Sequence, residues 1–378
     1  MKIAAVRLHA YRLGLRTTIE TAHERLAERL GLWLEIESEA GHRGFGDACP
    51  IAGFGLEDLA RCDEVLARFA AGLPGSEIGR DRAALLAQFD RVAPDARAAR
   101  GALDTAWLDV ASRIEGVSFA RWLVGAKADA PRCDALPVAC LIVGDDLDTL
   151  SANGRAAAAR GFATVKLKLG ARPLREDLER VATLRAAIGP VVGLRVDANG
   201  GWSERSAASA LPVLADLGVE LIEQPVPADD LDALGRLRAL GLVRIAADES
   251  ATSLARIEQL LDAEVVDVIV LKPGALGGPT AALAAARLSR ARGCEVFVTS
   301  LLDSAIGVMA AAQLASQLPG PRPADGLATS ALFVRDIAPG PSIEAGRLCL
   351  PDSPGLGLVP DPAALTGLCR AAPREWTT

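Results

Sequence analysis

The first fifty residues alternate. "KIAAVRLHAYRL" and "LGLWLEIESEAGHRGFGDACP" put apolar side chains at every second position, the period of a half-buried strand. They predict three strands, with "EAGHRG" (Glu39 to Gly44) as the hairpin turn between the second and third. The stretch 15–28, "LRTTIETAHERLAE", is then the connection between the first two. The apolar period next lengthens to that of a helix over 56–71, 82–92 and 96–114. Strands first and helices after is the order of an α+β unit.

From about Cys133 the two periods take turns. Strand-like runs fall at 136–143, 164–170, 192–198, 219–225, 243–249, 266–273 and 294–300, with a weaker one, "ADGLAT", at 324–329. Helical segments lie between them, such as "SERSAASALPVLADLG", which opens on a Ser N-cap. Gly161, Gly218 and Gly293 stand where helix C-caps would. Eight strands with intervening helices predict an α/β fold of the (β/α)8 barrel type. The competing open, doubly wound sheet would want a Gly-rich phosphate turn after its first strand, and "VGDDLDTL" has none. The expected division is an α+β capping domain over 1–130, a barrel over 131–337, and a segment 338–378 that returns to the capping domain.

Composition narrows the function classes. The 378 residues are 50% hydrophobic and carry a net charge of −7, with no basic run, so nucleic acid is a poor partner. No apolar run is long enough to span a membrane, and the N-terminus reads as a strand rather than a signal peptide. Seven scattered cysteines, never in C-x-x-C spacing, read as reduced thiols of a cytoplasmic protein. All three histidines lie in the first 42 residues. A general base in the middle of the chain must therefore be Lys, Asp, Glu, Tyr or Cys.

In a barrel the chemistry sits at the C-terminal ends of the strands. Those ends carry Lys166 and Lys168 on one face of the second strand, Asp197 and Asn199 on the third, Glu223 on the fourth, Asp248 and Glu249 on the fifth, and Lys272 on the sixth. Glu223 lies 26 residues after Asp197, and Asp248 25 after Glu223, one βα unit each time. Three converging carboxylates repel one another and need a cation. Oxygen ligands suit a hard ion, Mg2+ first and Mn2+ second. Lysines crowded beside such a site are expected to have lowered pKa values and to serve as bases. The reaction class is abstraction of a proton α to a carboxylate, with metal stabilisation of the enediolate, so the partner is a small-molecule carboxylate. Singly, each residue has a blander reading: a lysine on the rim, or "DES" capping the next helix.

Together, "KLKLG", "RVDANGGWS", "LIEQP", "ADES" and "LKPGALGG" resemble the enolase superfamily, in its muconate-cycloisomerase-like subgroup, over nearly the whole chain. A Lys or His base beside Mg2+ is that superfamily's general chemistry. The resemblance implies Asp197, Glu223 and Asp248 as metal ligands, Lys168 and Lys272 as catalytic groups on opposite faces of the substrate, Lys166 as an electrostatic companion, and Asn199 and Glu249 as supporting groups. "VTSLLDSAIG" and "ADGLATSALFVRDI" are similar to segments of o-succinylbenzoate synthases of menaquinone biosynthesis, which perform a syn dehydration. On that likeness Ser300, Asp303 and Ser304 are expected substrate contacts. Thr299, where serine is common, and Asp325 depart from the pattern. Dipeptide epimerases and N-acylamino acid racemases share the motifs, and there Asp303 or Asp325 would hold a substrate ammonium group. Muconate-type cycloisomerases share them as well. Phe54 and Ile51, after the third strand, are expected apolar contacts over the barrel mouth, with His23 and Arg25 as further candidates. A homo-oligomer is compatible with all of this.

Overall fold

The computed structural model describes residues 1–125, 133–361 and 365–378. The expected boundary at 130/131 lies outside them. The N-terminal alternation forms β1 (Ile3–Glu20), β2 (Arg25–Ser38) and β3 (Arg43–Ala48), an antiparallel meander. β1 and β2 are longer than the sequence suggested. Past an irregularity between Gly14 and Ile19 they pair again, Ile19 with Leu26 and Glu20 with Arg25. The stretch 15–28 is thus mostly paired strand, and only Thr21 to Glu24 make the tip. Between β2 and β3 the turn closes through Gly41, whose φ of 80° favours glycine. Helices Leu59–Ala70, Arg82–Val92 and Arg97–Ile114 follow. The last packs so closely on β3 that Gly44 and Gly46 have no room for a side chain.

Next come β4 (Ala135–Pro137) and β5 (Cys140–Ile142). The sequence had suggested one strand over 136–143. Pro137 has no amide proton to continue a ladder, and the chain changes sheets there. β4 joins β12 (Ile343–Glu344) and β13 (Arg347–Cys349) in a small antiparallel sheet, while β5 opens a parallel one. That sheet continues through β6 (Thr164–Lys168), β7 (Gly193–Asp197), β8 (Val219–Glu223), β9 (Arg244–Ala247), β10 (Val268–Leu271) and β11 (Glu295–Val298) in sequence order, seven strands in all. Helices alternate with them, and their apolar faces form one large core with the strands. Ser203 does cap helix Glu204–Asp216, accepting a hydrogen bond from the Ser206 amide.

The eighth expected strand, 324–329, forms only single bridges, Asp325 to Val138 and Gly326 to Thr299. Its side chain takes over a backbone role: Asp325 Oδ1 accepts from the Val298 amide at 2.9 Å. At the far end of the chain β14 (Arg374–Thr377) pairs antiparallel with β1. All seven cysteines are free. Among the described residues no helix is long and apolar enough to cross a membrane.

Candidate active site

Register builds the site. Across the parallel sheet Lys168 pairs with Asp197, and Asp197 with Glu223. Because in-register neighbours share a face, the three side chains form one row at the C-terminal ends of their strands. Val165 and Leu167, the alternate residues of β6, are fully buried on the helix side. Lys166 and Lys168 therefore both point to the other face. Past the strand ends the backbone is strained. Asn199, Gln224 and Leu302 hold φ of 45°, 36° and 57°, a region disfavoured for residues with a side chain. Asn199 is held there by hydrogen bonds: its amide donates to Asp197 Oδ1, its Nδ2 to Glu249 Oε1, and its Oδ1 accepts from Lys168 Nζ, each at 2.9 Å. Gln224 braces the next strand, accepting from the Asp248 and Ser250 amides and donating to Ser250 Oγ.

Asp197, Glu223 and Asp248 are buried and their oxygens lie within 4.8 Å of one another. Lys166 donates to Glu223 and pairs with Asp197 at 2.9 Å. Lys168 lies 3.1 Å from Asp197, and Lys272 Nζ 2.5 Å from Asp248 Oδ2. Burial alone would raise Asp197, but Lys166 and Lys168 outweigh it and hold the carboxyl below the usual range. Burial pushes Glu223 up, with Asp197 and Asp248 adding to it against Lys166. Glu249 is pushed up to about 8 by burial and by Asp248 and Asp197. For Lys166 the sequence expectation is reversed. Burial lowers its pKa, but attraction to Asp197, Glu223 and Asp248, with the hydrogen bond to Glu223, lifts it above an ordinary lysine.

The cluster fits a divalent cation. Glu223 Oε1 and Asp248 Oδ1 are buried without a hydrogen-bond partner, which costs free energy unless a cation takes their lone pairs. Hard oxygen donors on three adjacent strands suit Mg2+ or Mn2+.

One cavity opens over this row. Lys166, Lys168, Asn199, Glu249 and Lys272 line it, with Thr299 and Ser300 beyond β11, and Ile51 and Phe54 beyond β3. The Phe54 ring lies under Lys272 Nζ, 3.8 Å from its centroid. His23 reaches the cavity from the β1–β2 tip, but Arg25 does not. Three expected contacts are elsewhere. Asp325 is fully buried against Arg322 and Val298. Asp303 turns back to the Leu301 amide at 2.9 Å, and the Ser304 amide donates to Asp47. Asp303 and Asp325 are thus not placed to hold an ammonium group in the cavity, since their backbone bonds point them away from it. Thr21, Glu24 and Leu26 reach the cavity from the 15–28 connection, where the resemblance implied a loop closing over the barrel mouth; the sequence reading missed Leu141, Leu301, Leu302, Gly326, Ala328 and Thr329. Period-two alternation through "ADGLAT" carried a signal for two of them: if Asp325 faces out, Gly326 and Ala328 face in.

Comparison with known proteins agrees with the geometry. The family described as Enolase C-terminal domain-like matches residues 149–364. A chloromuconate cycloisomerase of Cupriavidus necator is 33% identical over 258 residues, 68% of this chain and 67% of that protein. A hydrophobic dipeptide epimerase of Enterococcus faecalis is 30% identical over 370 residues, 95% of this chain and 99% of that protein. A solved dipeptide epimerase from Cytophaga hutchinsonii, complexed with Mg and D-Ala-L-Val, superposes with a TM-score of 0.89 at 25% identity, over 99% of this chain and all of that one. A row of buried carboxylates flanked by lysines, on a parallel sheet matched by that family, carries one conclusion: this chain belongs to the enolase superfamily.

Proposed function

We propose that the protein abstracts the α-proton of a small carboxylate bound between Lys168 and Lys272. The observation that carries this reading is that both ammonium groups border one cavity, each tied to a different carboxylate of the buried cluster. Asp197, Glu223 and Asp248 would hold Mg2+, which when bound supplies positive charge for the enediolate oxygens. Lys168, hydrogen-bonded to Asn199, is the base. Lys272 faces it as a fixed positive charge, steadied by the Phe54 ring. Lys166 neutralises the carboxylate row. Ser300 and Ile51 are substrate contacts. Residues 1–130 and 338–378 form the cap over a (β/α)8 barrel, 131–337, in which 325–326 stands in for the eighth strand.

For the overall reaction we favour syn dehydration of a cyclohexadiene carboxylate, as in o-succinylbenzoate synthase. Gly326 and Ala328 leave space at the eighth position, and the cavity wall is largely apolar: Leu26, Ile51, Phe54, Leu141, Leu301 and Leu302. Asp303 and Asp325, the acids that would have held a dipeptide ammonium, turn elsewhere. A second reading, epimerisation of a dipeptide or N-acylamino acid, is favoured by the near full-length epimerase relative and by Glu24 at the cavity edge. The purified protein with Mg2+ decides between them. We expect dehydration of the cyclohexadiene substrate. Deuterium exchange into dipeptides or N-succinylamino acids without dehydration would replace our reading with the second, and lactonisation of muconate would overturn both.

A further inference from the structure

Behind the cavity wall lies a second acidic group that the chemistry above does not use. Asp47, on β3, and Asp303, past β11, are both buried. Both press on Gly307: a Cβ there would lie 2.6 Å from Asp303 Cβ and 2.9 Å from Asp47 Oδ2. Asp47 Oδ1 accepts from Tyr11 Oη at 2.7 Å, and Oδ2 from the Ser304 amide at 2.9 Å. Asp303 Oδ2 accepts from the Leu301 amide. Its Oδ1 lies against Gly274, in the turn that follows Lys272. Asp47 and Asp303 thus join the N-terminal sheet to one wall of the cavity, Leu301–Leu302, and to the turn after Lys272.

The charges do not balance. Arg29, buried on β2, acts on Asp303, but it donates to backbone oxygens of Cys49, Pro50 and Leu302 rather than to either carboxylate. Lys272 acts on Asp303 from the cavity side, but is tied to Asp248. Tyr11 and Cys49 are the other titratable groups facing Asp47. Helix Ala305–Ala315 brings no charged side chain, and Asp336 meets its first turn at the Ala305 amide. Helix Arg97–Ile114 contributes Gly101 and Thr105 to the small cavity beside the pair. With Arg29 spent on backbone oxygens and Lys272 on Asp248, the two buried carboxylates keep an excess negative charge that burial penalises heavily.

We propose that Asp47 and Asp303 hold one proton between them, and that the proton-bearing pair is a positioning device fastening the Leu301–Leu302 wall and the Lys272 turn to the N-terminal sheet. Burial and the charge of Asp303 push Asp47 up to about 7, although hydrogen bonds from Tyr11 and Ser304 pull it down. Burial raises Asp303 as well, against Arg29 and Lys272. A raised carboxyl stabilises the closed arrangement while protonated, and that contribution is lost as pH climbs through the raised value. The wall therefore loosens as pH rises toward about 7 and loosens no further above it. The consequence for catalysis, a KM that climbs as pH approaches that value and then levels off while kcat holds, rests on reading this cavity as the substrate site. The following measurement does not.

Amide hydrogen exchange of peptides covering 299–304 and 273–276 is followed in wild type, Asp47→Asn and Asp303→Asn at pH 6 and 8, corrected for intrinsic exchange rates. Wild type should lose roughly tenfold protection between pH 6 and pH 8, the factor carried by the one pH unit below the midpoint. Asp47→Asn keeps an acceptor for Ser304 and stays permanently neutral, so its protection should not fall between the two pH values. Asp303→Asn removes the like charge and should be equally flat. Unchanged protection in wild type would overturn the proposal whether or not either variant folds. An equal loss in wild type and Asp47→Asn would overturn it too.

Discussion

Lys168 and Lys272 differ in their surroundings although both border the same cavity. Lys168 is held by Asn199 and Asp197, while Lys272 sits on the Phe54 ring beside Asp248. Dehydration from one face needs one base, so the two should respond differently to arginine. Arginine is always protonated and cannot accept a proton. Lys168→Ala and Lys168→Arg should each lower turnover by about 10²-fold or more, the usual range for losing a general base. Lys272→Arg should keep measurable dehydration, because a cation there is preserved. Steady-state rates, with circular dichroism to confirm folding, check this. In an epimerase both substitutions would abolish turnover. A second residue-scale expectation lies far from the cavity. The His9 ring lies tilted against Trp33, centroids 4.4 Å apart, with Nε2 unpartnered, and burial, helped by Arg7, lowers its pKa to about 4. Its neutral form is the one that folding favours, so its contribution is complete above the unfolded value near 6.5 and lost as pH falls toward 4. His9→Phe should therefore gain on wild type in Tm as pH drops from 6.5 to 4, and match its pH dependence above 7. Sequence reading found the two lysines, since strand period puts both Lys166 and Lys168 on one face. It missed the raised pKa of Lys166, which depends on three carboxylates from other strands.

At the scale of elements, closeness of approach decides what a position tolerates. A Cβ on Gly46 would lie 1.9 Å from the Ala102 carbonyl oxygen, a backbone atom of helix Arg97–Ile114 that cannot step aside. A Cβ on Gly154 would meet Leu184 Cδ1 at 2.5 Å, the end of a flexible side chain. Gly46→Ala should thus cost about 3 kcal/mol or more. Gly154→Ala should be far milder, because alanine in a helix offsets part of the crowding by roughly 1 kcal/mol. Urea unfolding of the two variants measures the difference. Most elements were legible from period and caps: the 82–92 helix and the Ser203 cap appear where the pattern put them. The break at Pro137 and the missing strand at 324–329 were less so. Those segments are short, and which neighbour they bond to is settled by the strand ends around them.

For the molecule as a whole, the buried carboxylate row links stability to the cation. Any ion that binds the folded chain alone stabilises it by mass action, about 2.7 kcal/mol at a hundred times its Kd. Mg2+ should raise Tm by a few degrees in wild type and much less in Asp248→Asn, and chelator should abolish turnover until Mg2+ or Mn2+ is restored. Scanning calorimetry and an activity assay in parallel test this, and full activity after exhaustive metal removal would sink the metal assignment.

The order of apolar and polar residues determined the N-terminal strands and helices, the parallel succession after Cys133, and which strand ends carry charge, because periodicity is a local property. The spacing of one βα unit between Asp197, Glu223 and Asp248 was enough to bring them together, since neighbouring parallel strands repeat in register. Tertiary structure alone decided which residues past β11 see the cavity. Ser300 faces it, whereas Asp303 and Ser304 bond to Leu301 and Asp47 behind the wall. It also turned Asp325 outward and left Gly326 and Ala328 facing in. Loop direction is set by backbone hydrogen bonds to distant segments, and no local pattern encodes those partners.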